Sequence, residues 1–189
     1  MKPSDVLEDI EGSALNGRLP IIGPVKGAML DDLVRSHSPT RALEIGTLVG
    51  YSAIRISRLL PEGGELTCVE VSASSASAAR SNIEKAGLSG RVRVLVGDAK
   101  EVLGGLQGPV DFVLVDANKD EYLAYIRACE PLLRPGSVVV ADNVIAFADR
   151  VAGYLEYVRN SGKYSSRTIR APLNADQSVE DGMEVSVKL

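Results

Sequence analysis

Two apolar runs in this chain end abruptly in carboxylates: Phe112-Val113-Leu114-Val115 in Asp116, and Val138-Val139-Val140-Ala141 in Asp142-Asn143. Short β-branched runs bounded by turn residues read as buried parallel strands, and ligands of open α/β sheets collect at the carboxyl ends of such strands. Neighbouring strands would bring the two ends about 5 Å apart. Asp116, Asp142 and Asn143 would then offer three hard oxygen donors to one divalent cation. Mg²⁺ fits such a set, as do Ca²⁺ and Mn²⁺, in preference to a thiol-loving metal.

A second constellation precedes this one. The run Arg41-Ala42-Leu43-Glu44-Ile45 breaks into Gly46-Thr47-Leu48-Val49-Gly50 and enters a helical pattern at Tyr51. Glycine at the break lets backbone approach a ligand closely, and the helix start presents free N–H groups. The spacing is not GxGxxG, which disfavours a pyrophosphate clamp and with it an NAD-dependent dehydrogenase. The next run, Glu65-Leu66-Thr67-Cys68-Val69-Glu70, closes in an acid about 20 residues after the glycine turn, where a ribose diol can be held. Asp98, in Gly97-Asp98-Ala99 at the end of a third run, falls where a carboxylate can accept from the exocyclic amine of a base.

The elements that must position these residues form an alternating pattern. Two helical segments, about 4–16 and 23–36, are followed by strands near 41–45, 65–71, 91–96, 110–116 and 136–141 with helical sequence between them, the logic of βαβ units. Ser72 is read as the cap of a helix that Gly87 closes. After a helix at about 148–160, the stretches Tyr164 to Ala171 and Glu184 to Leu189 are extended. The second alternates with period two, the mark of a strand with one wet face, and the pair suggests an antiparallel addition at the sheet edge.

At 189 residues and 45% hydrophobic content, the chain suits one α/β domain over 1–189, of which 1–36 is a short helical lead-in. A net charge of -4 and scattered basic residues, Arg55, Arg58, Arg80, Arg91 and Arg93 among them, argue for a solvated surface and against nucleic acid as partner. The start Met1-Lys2-Pro3-Ser4-Asp5 lacks a signal-like apolar core, and no apolar stretch nears the roughly 20 residues of a membrane span. A soluble cytoplasmic protein without membrane contact is expected. Cys68 and Cys129 have no CxxC spacing and are read as buried thiols, and His37 as a helix-end or surface residue.

Taken together, Lys26-Gly27, Leu43-Glu44-Ile45-Gly46-Thr47 with Gly50-Tyr51-Ser52-Ala53, Val69-Glu70, Gly97-Asp98-Ala99, Val115-Asp116-Ala117-Asn118-Lys119 with Tyr122, Ala141-Asp142-Asn143-Val144, and Asp181-Gly182 resemble the class I S-adenosylmethionine-dependent methyltransferases. Within them the chain is similar to the cation-dependent O-methyltransferases of the catechol and caffeoyl-CoA type, from about residue 20 onward. The resemblance implies a Rossmann-like, doubly wound seven-stranded sheet of order 3-2-1-4-5-7-6 with strand 7 antiparallel. It implies that Glu44, Gly46, Tyr51 and Ser52 surround the methionine part of S-adenosylmethionine, with Glu70 on ribose, Asp98 and Ala99 at adenine, and Asp116 shared between cofactor and cation. Asp116, Asp142 and Asn143 would hold Mg²⁺, and Lys119 would be the general base toward one hydroxyl of a small aromatic vicinal diol. Methyl transfer from a sulfonium is an in-line displacement by a phenolate, and a lysine beside a divalent cation can serve as its base. The resemblance also carries an expectation of a homodimer, with the surface unspecified.

Departures from that family pattern concern the acceptor. The loop position that carries an acceptor-anchoring carboxylate in the catechol enzymes is Ala175 here, with Asn174 and Asp176 as neighbours able to substitute. Phe147 stands where a proline is expected, and Arg18-Leu19-Pro20 forms the other wall. The N-terminal extension is short, so the site is expected to be open or completed by a partner subunit. Methylation of RNA or protein is the competing enzyme reading, opposed by the acidic balance and by the lack of an Asn-Pro-Pro-Tyr type motif. A non-catalytic S-adenosylmethionine-binding subunit is opposed by the intact acids and Lys119.

Overall fold

The structure, a computed structural model, describes residues 1–15, 19–173 and 179–189. Helices α1 (Pro3–Ala14) and α2 (Gly23–His37) precede β1 (Arg41–Ile45), α3 (Tyr51–Ser57), β2 (Glu65–Glu70), α4 (Ala73–Lys85), β3 (Val92–Val96), α5 (Ala99–Val102) and β4 (Val110–Val115). There follow α6 (Tyr122–Cys129), β5 (Leu133–Ala141), α7 (Ala152–Asn160), β6 (Tyr164–Pro172) and β7 (Glu180–Lys188). The sheet has the order β3-β2-β1-β4-β5-β7-β6, with β7 antiparallel to both its neighbours.

The continuous apolar runs are explained by a core on each face. Phe112, Leu114, Val138 and Val140 point into the cluster under α1 to α4, while Val113, Val115, Val139 and Ala141 point into the one under α6 and α7. A strand buried on both sides needs no polar alternation. Local signals act as read: Ser72 accepts from the Ser75 N–H at 3.2 Å, and Gly87 takes φ +71° after α4. His37 is the last residue of α2, its Nδ1 2.8 Å from the Leu33 carbonyl, and both cysteines are buried.

Some expectations need correction. The final strand has no wet face: β7 is threaded between β5 and β6, and β6 forms the edge, so Glu184 and Ser186 are fully buried. Glu184 is tolerated there because Arg159 grips it through two nitrogens, at 2.7 and 2.9 Å, and the Thr168 hydroxyl donates at 2.6 Å. The helix expected from about 148 begins at Ala152, after turns. Arg55 is not a solvated surface charge, being 8% exposed and donating to Asp31 from Nε and Nη2. Among the described residues no helix is long and apolar enough to cross a membrane.

Sheet register sets the site. Ile45 pairs with Val115, and Val115 with Ala141, so the residues that follow these strands stand in one row. Each is stitched to its neighbour by backbone: Gly46 N–H to Val69 O at 2.9 Å, Asp116 N–H to Ile45 O at 2.9 Å, and Asp142 N–H to Val115 O at 3.1 Å.

Candidate active site

A cavity of about 1410 Å³ lies along this row. One end is built by the ends of β1, β2 and β3. Glu70 is 8% exposed, and its carboxylate accepts from the backbone N–H groups of Thr47, Leu48 and Ser72 at 3.1, 2.9 and 2.9 Å. Three donors lock the side chain at the cavity wall, and a carboxylate has lone pairs left for a diol. Gly46 must be glycine: its φ is +88°, and a Cβ there would come within 2.4 Å of the Asp116 carbonyl oxygen. Asp98 and Ala99 line the same end, Asp98 also capping α5 through the Lys100 N–H at 2.9 Å.

The other end is charged and mostly buried. Lys119 Nζ donates to Asp116 Oδ1 at 2.7 Å and to the Tyr122 hydroxyl at 2.8 Å, and that hydroxyl donates to the Asp142 carbonyl at 3.1 Å. Burial, and then the Asp116 and Asp142 carboxylates, push the Tyr122 phenol far above its ordinary range, so it is a neutral hydroxyl. Lys26 Nζ lies 2.7 and 2.8 Å from the two oxygens of Asp142 and 2.8 Å from Asp181 Oδ2. Burial alone would pull this ammonium down, but Asp142 and Asp181 hold it above the usual lysine value. Asp142 is raised as well: burial first, and then Asp116, push its carboxyl up despite Lys26. Asp181, whose burial alone would raise it, is kept low by Lys26, the Ala146 N–H and the Asn143 amide.

Of the residues expected at the site, Gly46, Glu70, Asp98, Ala99, Asp116, Lys119, Asp142 and Asn143 share the one cavity. Glu44, Tyr51 and Ser52, expected around the methionine part, are not among its lining residues. Glu44 is fully buried behind the glycine loop, where the hydroxyls of Thr47 and Ser52 both donate to it. Tyr51 turns away to bond Glu11 and Arg55. These residues shape the loop from behind. Leu19, Pro20, Ile21, Phe147 and Leu173 give the mouth an apolar rim. Glu11, Ala14 and Leu15 bring the end of α1 to the wall as well. The positions read as acceptor anchors, Asn174, Ala175 and Asp176, and Arg18 of the other wall, lie outside the described residues.

A sequence model described as O-methyltransferase matches residues 9–185. The chain belongs to the O-methyltransferase family. It is 39% identical over 175 residues to catechol O-methyltransferase B of Danio rerio, covering 89% of this chain and 65% of that one. It is 33% identical over 193 residues to catechol O-methyltransferase of Mus musculus, covering 98% and 72%. The chain thus spans just under two thirds of the fish relative. Among solved structures it superposes on an O-methyltransferase from Bacillus cereus in complex with SAH, with a TM-score of 0.87, 30% identity and coverage of 99% and 90%. An O-methyltransferase from Streptomyces achromogenes in complex with SAM gives 0.86, 29% identity, and 97% and 89%.

Seen as an O-methyltransferase, the charged end fits a hard divalent cation by its donor chemistry. Asp116 stands close enough to raise the cost of ionising Asp142, no thiol or imidazole among the described residues lines the cavity, and Asn143 adds a neutral oxygen. Among the described residues no three His, Cys, Asp or Glu are arranged to hold a metal, so a cation here would need the Asn143 amide beside the two carboxylates. Asn143 holds φ +62°, a left-handed conformation that asparagine tolerates better than most residues. Lys26, Tyr122 and Asp181 have roles at the site that spacing alone did not assign. They sit in the quoted family blocks, but 116 and 155 residues separate Lys26 from its partners, and only folding pairs them.

Proposed function

We propose that this chain transfers a methyl group from S-adenosylmethionine to one hydroxyl of a small aromatic vicinal diol, with a divalent cation, Mg²⁺ in the first instance, at Asp116, Asp142 and Asn143. The observation that carries the reading is the meeting, on one cavity wall, of Lys119, two carboxylates and an amide, opposite the end walled by Glu70 and Asp98. The names of the catechol-methylating relatives and the SAH and SAM held by the structural neighbours support the acceptor class and the cofactor.

Bound, the sulfonium supplies the methyl electrophile, and the cation supplies acidity and orientation to two adjacent hydroxyls. The chain's own part is positional and proton-handling. Glu70, fixed by three backbone donors, holds the ribose diol, and Asp98 faces the base. Lys119 Nζ is held between Asp116 Oδ1 and the Tyr122 hydroxyl, so its direction is set before an acceptor arrives. In the neutral form it takes the proton of the hydroxyl to be methylated. The apolar rim of Leu19, Pro20, Phe147 and Leu173 suits the flat face of an aromatic ring and limits water near the displacement.

The test is methyl transfer from labelled S-adenosylmethionine to a panel of catechols and caffeoyl-type acceptors, with Mg²⁺ and with chelator. Cation-dependent transfer to a diol is expected. Turnover undiminished by chelator would remove the cation from the reading, and no transfer to any diol despite cofactor binding would remove the acceptor class.

A further inference from the structure

Asp181 is fully buried and does not line the cavity, yet it touches two groups that do. Its Oδ2 accepts from Lys26 Nζ at 2.8 Å and from Asn143 Nδ2 at 2.7 Å, and its Oδ1 accepts from the Ala146 N–H at 3.0 Å. The segment is pinned to β7 by the Val144 N–H, which donates to the Gly182 carbonyl at 3.0 Å. Gly182 allows that close fit, since a Cβ there would lie 2.8 Å from the Ile169 carbonyl oxygen.

We propose that Asp181 and Lys26 are positioning residues that fix the polarity of the donor set, Asp181 by capturing the nitrogen end of the Asn143 amide and Lys26 by clamping the carboxylate of Asp142. The inference rests on the reading of Asp116, Asp142 and Asn143 as a divalent-cation site. An asparagine amide is nearly symmetric in shape but not in chemistry: one end accepts, and the other only donates and repels a cation. With Nδ2 committed to Asp181, the carbonyl oxygen is the end left for a cation. Turning the amide over would set that oxygen against a buried carboxylate, losing a charge-assisted hydrogen bond and creating acceptor-to-acceptor repulsion. Lys26 donates to both oxygens of Asp142, and each oxygen keeps a further lone pair. The ammonium also offsets the Asp142 and Asp181 charges at a place barely open to water, its own exposure being 2%.

The experiment measures binding of Mn²⁺ alone to the full chain, by electron paramagnetic resonance of the free ion, with S-adenosylmethionine affinity followed in parallel. Groups that orient metal ligands typically carry 10–100-fold of the metal affinity. Asp181→Asn is therefore expected to weaken Mn²⁺ binding by about 10-fold or more and to leave cofactor affinity unchanged. In an Asn143→Asp background the loss should vanish or reverse, because both ends of that side chain are then oxygen and removal of Asp181 relieves a carboxylate pair. An equal loss in both backgrounds, or none in either, overturns the inference. A readout on the unmodified chain needs no variant: the Asn143 side-chain amide protons should exchange with solvent far more slowly than those of exposed Asn160, and equal rates overturn it. Absence of any Mn²⁺ binding by the unmodified chain would refute the cation site itself, and is distinguished from failure of this inference by that control.

Discussion

Glu44→Gln should remove a large part of the pH dependence of this fold's stability between about pH 4.5 and 7. Glu44 is fully buried on β1; burial pushes its carboxyl from 4.5 up to about 7, against the lowering effect of the Ser52 and Thr47 hydroxyls. A carboxyl raised on folding binds more protons in the native state than in the unfolded chain across that window. Stability falls there as pH rises, so the contribution is fully present below 4.5 and lost by the time pH passes about 7. The displacement corresponds to about 3 kcal/mol, a large share of a domain's net stability. Glutamine matches the protonated acid in shape and can still bond both hydroxyls, so the variant should equal the parent near pH 4.5 and exceed it by about 3 kcal/mol at pH 8. Urea denaturation of both proteins with chelator present, at pH values from 4.5 to 8, measures this directly. Asp142 is also pushed up and adds a slope of the same sign, but it does so in both proteins and cancels in the difference. A parent–variant difference that stays flat across the range would refute the assignment of a buried, titrating carboxyl at this position.

Lys119→Met should lower kcat about 10²- to 10⁴-fold, the usual scale for a lost general base, while S-adenosylmethionine affinity measured by calorimetry stays within a factor of about two of the parent; a small kcat effect would place the base elsewhere. Gly46→Ala forces a side chain into a left-handed backbone and within 2.4 Å of the Asp116 carbonyl oxygen, and should cost at least about 2 kcal/mol in denaturant titrations, with cofactor binding weakened in step. Lys26→Met leaves Asp142 and Asp181 buried without their cation, and should cost about 3–5 kcal/mol at pH 7.5. Much of that loss should return at pH 5 as the acids take up protons, and a pH-independent loss would argue against charge as its cause.

The residues themselves determined the parallel half of the sheet and its business edge. Runs such as Phe112 to Val115 and Val138 to Ala141 can be satisfied only with apolar neighbours on both faces, and a carboxylate following such a run has to leave the core at the strand end. The glycine break at Gly46, the cap at Ser72 and the acid Glu70 were equally local, each set by backbone geometry or hydrogen-bonding chemistry within a few residues. Tertiary structure alone decided what lies far apart in the chain. The alternation of Glu184-Val185-Ser186-Val187 is the same for an edge strand and for one threaded between two others, and only insertion beside β5, with Arg159 supplied by α7, makes Glu184 a buried ion pair. Glu44 is assigned to the site by the family resemblance, and no spacing of its own marks it. Pleating decides which side of β1 each side chain takes, and it turns Glu44 inward, away from the cavity. Lys26 and Asp181 carry no spacing signal between them, for a charge network is defined by distance in space, and that distance exists only once α2 and β7 have closed over the ends of β4 and β5.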